Sequence, residues 1–140
     1  MINQEVIQME FPAQDKYLNV LGASIGAMLQ RVEGGEPPEG QIYGIELAVQ
    51  ETCTNIVRHA YAEQNEGRIK VTLTFEKPSR RFIVDVRDTG RSFNPSTIPA
   101  PSLGKPQVHG YGLFLMDKLM DEVTYCPEAG GNHWRLVKNL

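Results

Sequence analysis

The order of hydrophobic patterns in this 140-residue chain predicts an α+β fold, a two-layer sandwich in which helices pack on a sheet. Two observations support this class. Alternating apolar and polar residues mark strands, whereas apolar residues at spacings of three and four mark helices. The elements follow the order strand, two helices, two strands, loop, helix, two strands, so strands and helices come in runs. A doubly wound α/β fold would alternate them instead.

The first half of the chain contains one predicted strand and two predicted helices. Residues 6–11 alternate between apolar and polar side chains, and Pro12 ends the run. Apolar residues over 18–32 then recur at helical spacing, with Asp15 available as the helix cap. A loop rich in glycine and proline separates this helix from a second one over 41–62.

The second half returns to the strand period and then contains one long loop. Residues 69–75 alternate most regularly, and 82–86 follow after a turn, which predicts an antiparallel hairpin. Residues 91–109 show little periodicity and hold four prolines; a loop of this length is usually disordered or functional, for example a lid. The remaining predicted elements are a helix over 113–120 and strands over 123–125 and 134–137.

Composition and charge exclude several classes of function. The chain has 14 Lys and Arg against 17 Asp and Glu, a net charge of −3, which disfavours direct nucleic-acid binding. No apolar stretch is long enough to span a membrane, and the first residues do not resemble a signal peptide. Cys53 and Cys126 stand alone, which argues against a metal cluster or a disulfide framework. We therefore expect a single cytoplasmic domain over residues 1–140.

The first candidate site lies on the second predicted helix. Glu51 and Asn55 are four residues apart and share one face, and His59 continues the same line. A carboxylate can act as a general base, and an amide oxygen is a suitable ligand for Mg²⁺. Taken alone, such a pair is most often a solvated helix face, and His59 is equally explained as a cap of the helix end.

Two further candidates flank the long loop. Asp88 and Gly90 follow a strand directly, which is first of all a turn signal but would also suit an acceptor for the amino group of adenine. Gly110 and Gly112 precede a helix, where backbone N–H groups favour phosphate, although a simple hinge would look the same.

The order and structural setting of these three motifs make them stronger evidence together than each motif is alone. A helical ExxxN, a strand followed by DxG, a long loop and GxGL at a helix start resemble the N, G1 and G2 boxes of the GHKL ATPase/kinase superfamily. Within it the sequence is most similar to the bacterial anti-sigma factor serine kinases of the RsbW and SpoIIAB types. The matching segments are 51–61 (ETCTNIVRHAY), 88–95 (DTGRSFNP), 110–116 (GYGLFLM) and 119–123 (LMDEV).

The resemblance implies the Bergerat fold, in which a mixed sheet backs a layer of helices and ATP binds between the helices and a lid. By position, Glu51 would be the catalytic base and Asn55 would hold Mg²⁺. Asp88 would bind adenine, and Gly90 would shape the adenine pocket. Ser92 stands where gyrase-like members carry a second glycine, which favours the anti-sigma group within the superfamily.

The resemblance also implies a lid over about 91–110. Gly110 and Gly112 would let the end of this lid wrap around the phosphates. Lys105 and His109 are the nearest basic candidates for contacting the terminal phosphates. Because cations in loops are commonly just solvated, the composition of the lid does not choose between these two residues.

The implied function is that of an ATP- and Mg²⁺-dependent serine protein kinase that acts as an anti-sigma factor. Its partners would be a STAS-type anti-sigma antagonist, which it phosphorylates, and a sigma factor. It would act in trans, and the resemblance also implies a homodimer. The alternative is a switch module that binds ATP without chemistry; Glu51 and Asn55 together argue against it, since a pure binder needs neither a base nor a metal ligand. A histidine kinase catalytic domain or a gyrase-like ATPase would need additional segments.

Overall fold

The computed structural model describes residues 3–60, 67–89 and 111–140, which form five strands and three α-helices. The strands are β1 (Gln4–Pro12), β2 (Arg68–Glu76), β3 (Arg81–Asp88), β4 (Glu122–Glu128) and β5 (Gly131–Asn139). The helices are α1 (Leu18–Leu29), α2 (Glu39–Asn55) and α3 (Tyr111–Leu119), with a 3-10 turn at Asp15–Tyr17 and a π-helix at Ile56–Ala60. The predicted order of strands and helices is confirmed.

The five strands form one sheet in the order β1-β2-β3-β5-β4. Each of the four pairings between them is antiparallel. The α+β class is confirmed, but the expected mixed sheet requires correction, because the described residues contain no parallel pair. The reason is partly local: β2–β3 and β4–β5 are joined by short turns, and a short turn can join only antiparallel neighbours.

The helices cover one face of this sheet and enclose the core. Alternate residues of β2 and β3 point to this face and are almost fully buried, as the period of a half-buried strand requires. The large side chains buried there come from both layers and include Leu21, Ile25, Leu29, Ile45, Val49, Met116, Ile69, Leu73, Phe75, Phe82 and Leu136. None of the helices in the described part of the chain is long and apolar enough to cross a membrane.

The ends of two helices differ from the prediction. Asp15 does not cap α1: it begins a 3-10 turn, and no side chain caps the first turn of α1. The second helix keeps α-helical geometry only to Asn55 and continues as a π-helix, rather than running to residue 62 as an α-helix. Hydrogen bonds in a π-helix run from i to i+5, so the spacing that would align His59 with Asn55 does not continue. The side chain of His59 lies outside the described residues.

Candidate active site

The last turn of α2 carries Glu51 and Asn55, as the sequence predicted. Val49 and Cys53 of the same helix are fully buried in the core, whereas Glu51 is half-buried. Asn55 is only 9% exposed, and its Nδ2 is buried without a hydrogen-bond partner in the described residues. An unmet buried polar group costs about 1–3 kcal/mol, so its presence at a helix end suggests a functional reason.

Asp88 is the last residue of β3 and is 6% exposed. It lies on the same face of the sheet as Val84 and Val86, so its carboxylate is directed to the side where the helices pack. Its Oδ1 accepts a hydrogen bond of 2.8 Å from Nδ2 of Asn132. The β3–β5 register places these two residues directly opposite each other.

A third polar residue extends this contact. The hydroxyl of Tyr125 donates to Oδ1 of Asn132, and the Tyr125 ring packs against Trp134 with centroids 4.7 Å apart. Sequence analysis missed both Tyr125 and Asn132, because each occupies an ordinary strand or turn position. One signal was present: Asn132 is a polar residue on the same strand face as buried Trp134 and Leu136.

Cys53 shows that the helix end and the strand end are close to each other. Its thiol is fully buried, and burial together with the negative charge of nearby Asp88 raises the pKa of Cys53 to about 12. Cys53 lies on α2 between Glu51 and Asn55, so the electrostatic influence of Asp88 reaches that turn. The charge of Asp88 at the end of β3 therefore acts on the turn of α2 that carries Glu51 and Asn55.

Gly131 is a structural requirement of this site that the sequence did not reveal. A Cβ at Gly131 would overlap the carbonyl oxygen of Asp88 and would lie 3.2 Å from Cα of Thr89. The first residue of β5 therefore approaches the backbone that carries the site carboxylate. Glycine is the one residue that permits such a close approach.

Most of the predicted lid lies outside the described residues. This applies to the range 91–110 with Lys105, His109 and Gly110, and also to Gly90 before it. Gly112 is the second residue of α3, so its backbone is helical, and its proposed phosphate role is not tested.

A contact between α2 and α3 fixes the helix that follows the lid. The hydroxyl of Thr52 bonds the carbonyl of Ala48 at 2.9 Å and contacts Sδ of Met116 at 2.7 Å. Both Thr52 and Met116 are fully buried. The middle of α3 is thereby held beside the turn that carries Glu51 and Asn55.

Comparison with known proteins agrees with this geometry. Residues 11–138 match the family described as the histidine kinase-like ATPase domain. The serine-protein kinase RsbW of Bacillus subtilis is 34% identical over 137 residues, which cover 91% of this chain and 82% of that protein. RsbW of Staphylococcus aureus (strain MRSA252) is 29% identical over 135 residues, with the same coverage of 91% and 82%.

Solved structures show the same fold at lower identity. The RsbU and RsbW domains of Rv1364c from Mycobacterium tuberculosis superpose with a TM-score of 0.70 at 20% identity, over 97% of this chain and 32% of that one. The histidine kinase domain of the blue-light activated kinase EL346 from Erythrobacter litoralis gives 0.59 at 18% identity, over 93% of this chain and 62% of that one.

The chain belongs to the histidine kinase-like ATPase family and, within it, to the RsbW-like anti-sigma factor serine kinases. The resemblance stated from the three motifs is thus confirmed, and so is the enzyme class, an ATP-dependent protein serine kinase.

Proposed function

We propose that this kinase uses ATP with Mg²⁺ to phosphorylate a serine of a STAS-type anti-sigma antagonist, and that it also sequesters a sigma factor. The observation that carries the proposal is that Glu51 and Asn55 lie on the turn of α2 that also carries Cys53, and that the negative charge of Asp88 at the end of β3 acts on Cys53. This arrangement supplies a base, a metal ligand and a base-recognition carboxylate within one site.

Asp88 would accept a hydrogen bond from the exocyclic amine of adenine, because a carboxylate is an acceptor. Gly90 would shape the adenine pocket. Gly110 and Gly112 would let the end of the lid wrap around the phosphates, and Lys105 would contact the terminal phosphates.

Asn55 fits the role of metal ligand. A metal ion would be held by its Oδ1, since amide and carboxylate oxygens suit Mg²⁺. Its Nδ2 is buried without a hydrogen-bond partner among the described residues and could donate to a phosphate oxygen of the bound nucleotide. When bound, the ion would neutralise charge on the phosphates.

Glu51 is the proposed general base. The serine Oγ attacks the γ-phosphorus of ATP, the bond from that phosphorus to the bridging oxygen breaks, and ADP leaves. The serine proton passes to the carboxylate of Glu51. The half-buried position of Glu51 in the last turn of α2 gives it access to solvent and to a protein substrate.

The partners follow from the relatives. RsbW proteins are named serine-protein kinases, and a kinase of this group would release the antagonist once phosphorylated and then bind the sigma factor. We place this exchange in the cytoplasm, and a homodimer is compatible with it. The proposal includes no contact with nucleic acid or membrane.

The test of this mechanism is transfer of the labelled γ-phosphate from ATP to a purified STAS-type antagonist. Glu51→Gln should abolish transfer and leave ATP affinity within about twofold, since it removes the base and no proposed nucleotide contact. Glu39→Gln, an exposed carboxylate at the start of the same helix, is the control and should transfer normally.

Three outcomes would overturn parts of the proposal. Normal transfer by Glu51→Gln would remove this residue from the mechanism. ATP binding by the unaltered protein without any transfer would favour the non-catalytic switch module instead. A pull-down with and without ATP that recovers neither a sigma factor nor a STAS-type protein would contradict the partner assignment.

A further inference from the structure

Three polar side chains from three strands form a hydrogen-bonded chain at the edge of the site, with Tyr125 half-buried and the other two buried. Tyr125 on β4 donates to Asn132 on β5, and Asn132 donates to Asp88 on β3 at 2.8 Å. Asn132 is 1% exposed and Asp88 is 6% exposed. Apolar residues hold the neighbouring positions of this sheet face, so packing alone does not call for polar groups here.

The donors in this chain run in one direction. The phenolic hydroxyl donates to the carbonyl oxygen of Asn132, which turns the amide nitrogen of Asn132 toward Asp88. A reversed amide would place its oxygen against the carboxylate of Asp88, and two acceptors repel each other. The carboxylate of Asp88, which only accepts, therefore sets the orientation of Asn132, and the hydroxyl of Tyr125 holds Asn132 in that orientation by donating to its Oδ1.

We propose that Asn132 and Tyr125 are positioning residues that hold Asp88 as an oriented acceptor and so set the preference of the site for a purine with a 6-amino group. The inference rests on the proposed role of Asp88 toward adenine. A 6-oxo purine presents an acceptor at this position and would face an acceptor. A site built to bond one group rejects analogues that lack it, because its own polar group then loses a partner.

The experiment compares the affinities of the full chain for ATP, inosine triphosphate and purine riboside triphosphate, which has no substituent at position 6. The variants are Tyr125→Phe and Asn132→Leu, with Tyr43→Phe as a control because Tyr43 is 65% exposed. We expect Tyr125→Phe to weaken ATP binding by about 5- to 10-fold, the effect of one hydrogen bond. The loss should be larger for Asn132→Leu, and binding of purine riboside triphosphate should stay within twofold in both variants.

The ratio of affinities separates positioning from general structure. Equal loss for ATP and purine riboside triphosphate in both variants, or no loss for either, would overturn the inference while leaving the role of Asp88 intact. If the unaltered protein bound ATP and purine riboside triphosphate equally well, Asp88 would not recognise the 6-amino group, and its role in the proposed function would be contradicted. Tyr125→Phe removes a single hydroxyl, so the test stands even if Asn132→Leu does not fold.

Discussion

The first residue of β5 has no side chain because the backbone of Asp88 occupies that space. A methyl group at Gly131 would push against the Asp88 carbonyl and Cα of Thr89, and neither can move without disturbing the β3–β5 pairing. Gly131→Ala should therefore lower the free energy of unfolding by about 1–3 kcal/mol, the usual cost of overpacking. Urea denaturation measures this loss, and ATP affinity should fall with it.

Gly40→Ala is the matched control. Gly40 lies near the start of α2, and no atom lies within 4 Å of where its Cβ would be. Alanine is the better helix former by up to about 1 kcal/mol, so this variant should be as stable as the original chain or more so. Equal effects of the two substitutions would show that crowding at Asp88 is not the cause.

Asp85 holds an ion-pair cluster on the sheet face away from the helices. Its Oδ1 accepts from Nε of Arg135 at 2.8 Å and lies 2.7 Å from Nε2 of His133. Burial by itself would raise the pKa of Asp85, but the hydrogen bonds from Arg135 and His133 outweigh it and lower the pKa below its ordinary value of 3.8. The folded state therefore favours the ionised carboxylate.

Asp85→Asn should cost about 1–3 kcal/mol at neutral pH, since it removes a charged hydrogen-bond acceptor from a buried position. A lowered pKa stabilises the fold above the ordinary pKa, and this contribution disappears as pH falls through the lowered value. The difference in stability between the two proteins should thus shrink below about pH 3.8. Urea denaturation at pH 7 and pH 3 measures it, and an unchanged difference would contradict the assignment.

At the residue scale, the sequence predicted the candidate site residues that belong to a motif. It did not predict the residues whose importance depends on which strands pair. Glu51, Asn55 and Asp88 stand at fixed distances from element ends, so local pattern locates them. Asn132 and Gly131 lie near Asp88 because β5 pairs with β3. The sequence alone does not reveal that β5 is the neighbour of β3.

Among the elements, α3 packs on α2 through Met116 and also through Leu119, which lies against Gly44. Met116 is fully buried and contacts the hydroxyl of Thr52. Met116→Ala should lower the free energy of unfolding by about 2–5 kcal/mol, as for other large-to-small changes in cores. Tyr43→Ala, at an exposed position of α2, should change stability by no more than about 0.5 kcal/mol. Similar thermal shifts for both would argue against this attachment.

Element boundaries were less predictable than element types. The apolar period of α2 continues past Asn55, and this period does not distinguish an α-helix from the π-helix at Ile56–Ala60. The same holds for Asp15, which has a capping residue's chemistry but begins a 3-10 turn. Hydrophobic spacing reports which face is buried and not how the last hydrogen bonds are made.

At the scale of the whole molecule, bound nucleotide should stabilise the fold. A ligand that binds only the folded chain raises the free energy of unfolding by about 2.7 kcal/mol at 100 times its Kd. We expect ATP to raise the melting temperature and Mg²⁺ to raise it further. Asn55→Leu should lose the increment from Mg²⁺ while folding at least as well without nucleotide, because it removes the buried Nδ2 of Asn55, which has no hydrogen-bond partner in the part of the chain that the structure describes.

Asn19→Leu is the control for that measurement, since Asn19 is an exposed residue of α1. It should keep the full increment from Mg²⁺. An increment preserved in Asn55→Leu would rule out Asn55 as the metal ligand.

The overall architecture followed from pattern, but the sheet arrangement did not. Segregated strand and helix runs were enough for an α+β sandwich. The strand order β1-β2-β3-β5-β4 was out of reach, because β4 and β5 read as a simple terminal hairpin. Insertion of β5 beside β3 is a long-range choice, set by how buried faces such as those of Val84 and Leu136 fit together.

The interior place of β5 has a consequence for synthesis on the ribosome. β5, which is synthesised after the other four described strands, is hydrogen-bonded on both sides, to β3 and to β4. Until residues 131–139 have emerged, β3 has an open edge and β4 has no partner, so the nascent chain carries two unpaired strand edges that favour association with other chains. β5 also brings Asn132 to Asp88. We therefore expect a chain that ends before this strand to stay incompletely folded and to bind chaperones, and not to fold into a kinase of reduced activity.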